Sequence, residues 1–164
     1  MPLAFTYPLM KRYTYWPQLF LGITFNYGLV LGWTAIMNEI SIEPIIFYLG
    51  AIFWTLGFDT IYGFQDIKDD EIIGLKSTSI KFKNFPYLFL KICYSIFLAS
   101  LIIIGFLLKL NLVYFLLLII VALQMYYFQI YKLDVKKTDT CLKIFKSNNL
   151  LGLIIFMSLF LGKF

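Results

Sequence analysis

Long apolar runs separated by short polar connections set the frame of this chain. A membrane-crossing helix needs about 20 predominantly apolar residues, and five stretches approach or reach that length. The first is expected from about Trp16 to Met37, after the basic pair Lys11-Arg12 and the helix-start signal Thr14-Tyr-Trp-Pro17. A short connection, Asn38 to Glu43, holds two acids and no bases. The second run spans about Pro44 to Ile61. Residues 65–85 then read as a long polar loop with a short helix, carrying Lys68, Lys76, Lys81 and Lys83. The third run is about Pro86 to Leu108, and Lys109-Leu-Asn111 is a tight turn into a fourth that ends near Tyr131. A second basic loop, Lys132 to Lys146, leads to a short fifth run from about Asn148 to Gly162. The expected fold is an all-α, polytopic transmembrane bundle with a single domain over residues 1–164.

Composition agrees with that pattern. The chain is 61% hydrophobic and 14% charged, with a mean hydropathy of +0.83, whereas soluble domains are about half apolar and about a quarter charged. Because the loops alternate across the bilayer, Lys and Arg can be tallied by side. Twelve of the fourteen lie on one side, from Lys11 and Arg12 through the loops at 65–85 and 132–146; only Lys109 and Lys163 lie on the other. Basic residues concentrate on the cytoplasmic side of membrane proteins, so the side holding both long loops is expected to face the cytoplasm. The net charge of +5 is accounted for by topology and does not imply nucleic-acid binding. Histidine is absent, which excludes Ser-His-Asp and Cys-His mechanisms and any histidine metal site. Cys93 and Cys141 lack metal-site spacing and are expected to pack as small apolar residues. The start, Met1-Pro-Leu-Ala-Phe-Thr-Tyr-Pro-Leu-Met-Lys-Arg, has no charged region ahead of its apolar residues, as a secretory signal would. It reads as the tail of a preceding helix.

Against this apolar background one segment stands apart. Five of the nine carboxylates fall between Asp59 and Glu71. If the second helix continues through them, Asp66 and Asp70, at i and i+4, share a face. Asp59 lies close to that face, being almost two turns earlier, and Asp69 is displaced from it. Carboxylates gathered on one face repel unless a cation neutralises them. Hard oxygen ligands suit Mg²⁺, which commonly binds one or two carboxylates together with substrate phosphates. A solvated acidic loop is the plain alternative, but acids are unexpected in a loop on the basic side. The spacing points to a metal–diphosphate site.

Two blocks of residues together resemble a known family. Tyr7-Pro-Leu-Met-Lys11-Arg12-Tyr-Thr14-Tyr-Trp16-Pro17-Gln18, followed by Leu21-Gly22, Phe25-Asn26, Gly28 and Gly32-Trp33, is similar to 4-hydroxybenzoate polyprenyltransferases of the UbiA superfamily. Asp59-Thr60, Tyr62, Asp66-Ile-Lys-Asp69-Asp70 and Gly74-Leu-Lys76-Ser77-Thr78 match the second aspartate-rich motif of that family. The Lys-Ser-Thr ending resembles the hydroxybenzoate branch more than the haem-farnesylating one. Family members have about nine membrane helices and a first motif of the form Asn-Asp-x-x-Asp. That motif is missing here, so the chain resembles the C-terminal part, truncated relative to the nine-helix fold and starting where the fourth helix ends.

The resemblance implies transfer of a polyprenyl group from its diphosphate to 4-hydroxybenzoate in ubiquinone biosynthesis, with Mg²⁺ as cofactor. It implies a multi-pass protein of a bacterial inner membrane; a split gene, a truncated gene or a mis-called start could each account for the part not seen, with a separately encoded N-terminal half as the partner in the first case. By motif match, Asp66 and Asp70 would hold the metal, with Asp59 as a further polar contact. Lys11, and Tyr7 in the same Tyr-x-x-x-Lys pattern, would contact substrate. Arg12 would take phosphate or the benzoate carboxylate, because its planar fork suits either. Lys76 is a further phosphate candidate, for which plain positive-inside topology competes equally. Asn26, costly inside an apolar span unless hydrogen-bonded, belongs either to helix packing or to the pocket. The rival functions are a non-catalytic remnant and a relative using another aromatic acceptor. A small transporter is disfavoured because no ionisable group is expected deep within a span.

Overall fold

A computed structural model describes residues 9–164, which form helices joined by short connections. A helical turn over residues 9–13 precedes α1 (Pro17–Met37), α2 (Ile42–Gly63), the short α3 (Ile67–Ile73) and α4 (Thr78–Lys81), α5 (Pro86–Leu107), α6 (Leu112–Leu123) and α7 (Thr138–Gly162). A π-helical segment, Gln124–Tyr131, extends α6 without a break. Five of these elements, with α6 counted together with its π extension, are long and apolar enough to cross a membrane. The protein is therefore a multi-pass membrane protein. Its spans place α3 and α4 at one end, the acidic end, and the α1–α2 and α5–α6 turns at the other, the far end.

Local chemistry explains most boundaries. Pro17 and Pro86 occupy first-turn positions, where a missing N–H costs nothing. Asn111 caps α6 by accepting from the backbone N–H groups of Val113 at 2.8 Å and Tyr114 at 3.3 Å. Asn38 adopts a left-handed conformation that ends α1.

The central helix is α2, which packs against α1, α5 and α7. Close approach to α5 depends on Gly57, where an added Cβ would run into the Tyr94 ring. In the bilayer there is little hydrophobic drive between helices, so small residues and buried polar bonds hold them together. One such network ties four spans. Asn148 Oδ1 accepts from Trp54 Nε1 at 2.9 Å and from Gln129 Nε2 at 3.1 Å. The Tyr94 hydroxyl donates to Gln129, and Gln124 donates to Ser147 at 3.0 Å. Within the π segment, whose repeat brings residues i and i+5 into line, Gln129 donates to Gln124 at 2.9 Å.

The fifth span begins earlier than the hydrophobic pattern suggests. Helix α7 starts at Thr138, ten residues before Asn148, so only 132–137 remain as a connection. The reason is amphipathicity. Cys141, Ile144 and Asn148 face the core at helical spacing while Lys143 and Lys146 are exposed, and those lysines disguise the first turns as loop. Cys93 and Cys141 are buried free thiols, packed as small apolar residues.

Candidate functional site

Helix α2 does not continue through the acidic stretch. It ends at Gly63, and Phe64, buried in the core, turns the chain. Asp66 then stands at the N-cap of α3. The expected continuous face from Asp59 to Asp66 is thus broken: the Phe64 N–H closes on the Ile61 carbonyl at 3.3 Å while Ser79 Oγ takes the Thr60 carbonyl at 2.9 Å, so the helical ladder stops there. Asp59 remains on the last turns of α2, half-buried, and belongs to a different helix from the other acids.

Asp66 and Asp70 keep their one-turn relation. The Asp70 N–H donates to the Asp66 carbonyl at 2.8 Å. The Asp66 side chain makes no capping bond and is exposed, so its oxygens are open to a ligand. Asp70 is buried and takes an ion pair from Lys11 Nζ at 3.2 Å. Asp69 is exposed and does not share the buried direction of Asp70. Gly74 ends α3 with φ of +76°, and the Leu75 N–H reaches back to the Asp70 carbonyl at 2.8 Å. That closure needs a left-handed residue, and it anchors the turn that carries Asp70.

What holds α4, and with it the end of the acidic loop, against the bundle is a latch that motif reasoning did not foresee. Gln18 Oε1 accepts from the Thr78 N–H at 3.0 Å. Thr60 and Thr78 share a hydroxyl–hydroxyl bond of 2.6 Å, and Ser79 Oγ donates to the Thr60 carbonyl at 2.9 Å. All four side chains are buried. The Lys76 N–H donates to the Lys11 carbonyl at 2.7 Å, drawing the 9–13 turn onto the loop. The Ser77-Thr78 ending of the second block is therefore structural here. Its sequence signal was present, as small hydroxyl residues beside a Gln and a Thr at span ends, but such residues stand out only once their partners are known.

The remaining expected residues fall as follows. Arg12 is exposed beside Lys11. Lys76 Nζ donates to the Tyr13 carbonyl at 3.4 Å and lies 5.7 Å from the Tyr15 ring centroid, at the edge of the site. Asn26 is placed away from the acidic end. Its amide nitrogen lies within 2.8 Å of the Gly22 carbonyl, 3.2 Å of the Ala51 carbonyl and 2.8 Å of the Thr55 hydroxyl, so it serves the α1–α2 seam instead of a pocket. Tyr7 lies outside the described residues.

The donor set suits Mg²⁺ shared with phosphate oxygens. It offers two carboxylates one turn apart, and Mg²⁺ typically takes one or two carboxylates while substrate phosphates and waters complete its octahedron. Gln65 Nε2, just ahead of Asp66, is buried with no hydrogen-bond partner, a polar donor available to an anion. Among the described residues no three or more His, Cys, Asp or Glu side chains cluster to hold a metal, so a closed protein cage is not what the arrangement builds.

The sequence matches the UbiA prenyltransferase family over residues 1–160. It is 43% identical to the mitochondrial 4-hydroxybenzoate polyprenyltransferase of Bos taurus over 163 residues, which cover 98% of this chain and 43% of that protein. The Homo sapiens protein of the same name is 42% identical over the same shares. The Arabidopsis thaliana one is 40% identical over 98% of this chain and 40% of its own length. The chain thus spans about two fifths of the length of these curated relatives. No solved structure matches it. With a match that takes in both the acidic turn and the lysine paired to it, this chain belongs to the UbiA prenyltransferase family.

Proposed function

We propose that this chain supplies the second half of a 4-hydroxybenzoate polyprenyltransferase of ubiquinone biosynthesis. The reaction breaks the bond between the allylic carbon and the diphosphate oxygen. It forms a carbon–carbon bond to the ring position meta to the carboxylate, and the ring loses a proton. The observation that carries this reading is the open Asp66 carboxylate one turn from an Asp70 already held by Lys11. The names of the relatives support the choice of substrates.

Negative charge builds on the departing diphosphate, and fixed positive groups aimed at it lower the barrier. Bound Mg²⁺, held by Asp66 and Asp70, would supply Lewis-acid stabilisation of that charge. Lys11 adds a positive group at the same place and orients Asp70. Arg12, exposed next to it, offers a planar fork to phosphate or to the benzoate carboxylate. Lys76, tied to Tyr13, contributes positive potential from the rim. Asp59, on the last turns of α2, offers a further polar contact at the acidic end.

The bilayer is the solvent for the prenyl chain, and the acidic end faces the cytoplasm or the corresponding mitochondrial compartment, since twelve of the fourteen basic residues flank it. The relatives are mitochondrial, so an inner membrane fits, although they lend no weight to the bacterial setting expected from sequence. A cysteine placed at position 81 should react with an impermeant thiol reagent only from that inner face; labelling from the outer face would reverse the orientation.

The function is tested by expressing this chain with a complementary N-terminal half in a host lacking its own enzyme. Prenylated 4-hydroxybenzoate should form in the membranes and vanish when divalent cations are chelated. Product that persists at full rate under chelation, or no product with any 4-hydroxybenzoate supplied, would defeat the proposal.

A further inference from the structure

The acidic loop is tied to two places on the N-terminal side of the bundle, Lys11 and Gln18. The Lys76 N–H donates to the Lys11 carbonyl at 2.7 Å, and the Thr78 N–H donates to Gln18 Oε1 at 3.0 Å. Ser77, between them, is extended, with φ of −153° and ψ of 164°, so the chain runs straight from one tie to the next. The Leu75 N–H reaches the Asp70 carbonyl at 2.8 Å, and Lys11 Nζ returns to the Asp70 carboxylate at 3.2 Å. A closed ring results, from Asp70 through Leu75 and Lys76 to the Lys11 backbone and back along the Lys11 side chain. Gln18 is the side chain that fixes this ring to α1.

The Gln18–Thr78 bond is sealed from water. Gln18 is 3% exposed and Thr78 0%, so a Thr78 N–H left without its acceptor would bear the desolvation cost of a buried donor. Space for the tie comes from Gly63, where an added Cβ would run into Ser79 Oγ and approach Gln18 Nε2. Helix α1 does not depend on Gln18 for its own seat. Asn26 joins it to α2 through the Ala51 carbonyl and the Thr55 hydroxyl, and the Tyr48 hydroxyl donates to the Ile23 carbonyl at 2.7 Å. When the Gln18 oxygen is lost, α1 therefore stays and the loop is the part that moves.

We infer that Gln18 is a positioning residue for the metal–diphosphate site, holding through the Thr78 N–H the loop conformation in which Asp66 and Asp70 receive Mg²⁺. The inference rests on the reading of those two acids as metal ligands. Gln18 itself acts on neither metal nor substrate, since its accepting oxygen is turned to Thr78 inside the seam. Without that oxygen the loop divides its time between this closed form and opened ones. A metal that binds only the closed form then shows an apparent affinity reduced by the closed fraction. Saturating metal draws the loop back, so the maximal rate is kept. Loss of a residue that acts on the diphosphate directly would lower the maximal rate instead.

The test titrates Mn²⁺, read by electron paramagnetic resonance, into this chain assembled with the complementary N-terminal half and supplied with inorganic diphosphate. The Mn²⁺ held at this site is the part of the binding lost in Asp66→Ala. Gln18→Met keeps the length of the side chain and removes the accepting oxygen. It should weaken that Mn²⁺ about tenfold, the lower end of the effect of removing an outer support of a metal ligand. Gln18→Asn, whose oxygen falls one methylene short, should shift the affinity in the same direction, and Gln18→Glu, which keeps an oxygen at the same reach, should recover most of it. Asn26→Leu removes bonds of the same helix away from the loop, so it should lower the unfolding temperature and leave the Mn²⁺ affinity unchanged. In prenyl transfer, Gln18→Met should raise the Mg²⁺ concentration for half-maximal rate by the same factor, with the maximal rate kept to within about twofold. Unchanged Mn²⁺ affinity in Gln18→Met and Gln18→Asn would overturn the inference and leave the metal reading in place, as would an equal loss in Asn26→Leu. Mn²⁺ binding that Asp66→Ala does not reduce would refute the metal reading and remove this inference with it.

Discussion

Asp66→Ala and Asp70→Ala should each lower Mg²⁺-dependent prenyl transfer by at least about 10²-fold, the loss typical of removing one preorganised electrostatic stabiliser. The two should fail in different ways. Asp66 is exposed and free of capping duty, so its loss removes a metal oxygen and leaves the fold intact. Asp70 is buried against Lys11, so Asp70→Ala also leaves a lysine without its partner. Asp70→Asn, which keeps the shape of the side chain and a neutral contact to Lys11, separates the effects: activity should stay low while membrane insertion and thermal stability recover. Asp69→Ala, on the exposed side of α3, should change turnover by only a few-fold. The assay is initial rate against Mg²⁺ concentration in membranes also containing the complementary half. Equal losses at Asp66 and Asp69 would show that the facing of α3 does not decide which acids hold the metal.

The second large effect concerns this chain by itself. Expressed alone in a host without its own enzyme, it should insert into the membrane and yield no prenylated 4-hydroxybenzoate. Supplying the missing half in trans should restore product. Diphosphate brings several negative charges into a site of low dielectric, where neutralising them requires Mg²⁺ ions whose coordination takes more oxygen ligands than one short helix offers. The other acids are spent or distant. Asp134 pairs with Lys137 at 3.5 Å and accepts from the Lys136 N–H at 3.1 Å. Glu39 and Glu43 stand at the far end, beside the α1–α2 turn. In the family resemblance, the second set of carboxylates belongs to the Asn-Asp-x-x-Asp motif, absent from these 164 residues. The chain also spans only about two fifths of the length of its relatives. Mg²⁺-dependent product from membranes holding this chain alone would show that a single acidic helix end is sufficient.

Much of the architecture was legible in the order of residues, because it depends on local quantities. Lengths of apolar sequence determine how many helices can cross a bilayer, and Pro17, Pro86 and Asn111 mark where three of them begin. The asymmetry of lysines about those runs depends on counting alone. Asp66 and Asp70 could be paired from spacing, since a one-turn relation survives any helix that contains both. Tertiary structure decided the rest, wherever a bond joins distant residues. The bond from Ser79 to the Thr60 carbonyl and the tight closure at Phe64 interrupted the helix that would have aligned Asp59 with Asp66. Lys11 found Asp70 across 59 positions, and Gln18 found Thr78 across 60. Asn26 was drawn into the α1–α2 seam by Ala51 and Thr55, 25 and 29 residues away. The lysines near the start of α7 concealed ten residues of helix, because their charge lowers local hydropathy while their side chains simply face outward. A side chain's partner is set by the packing of whole helices, and the pattern along one strand of sequence carries no record of which helix will lie beside it.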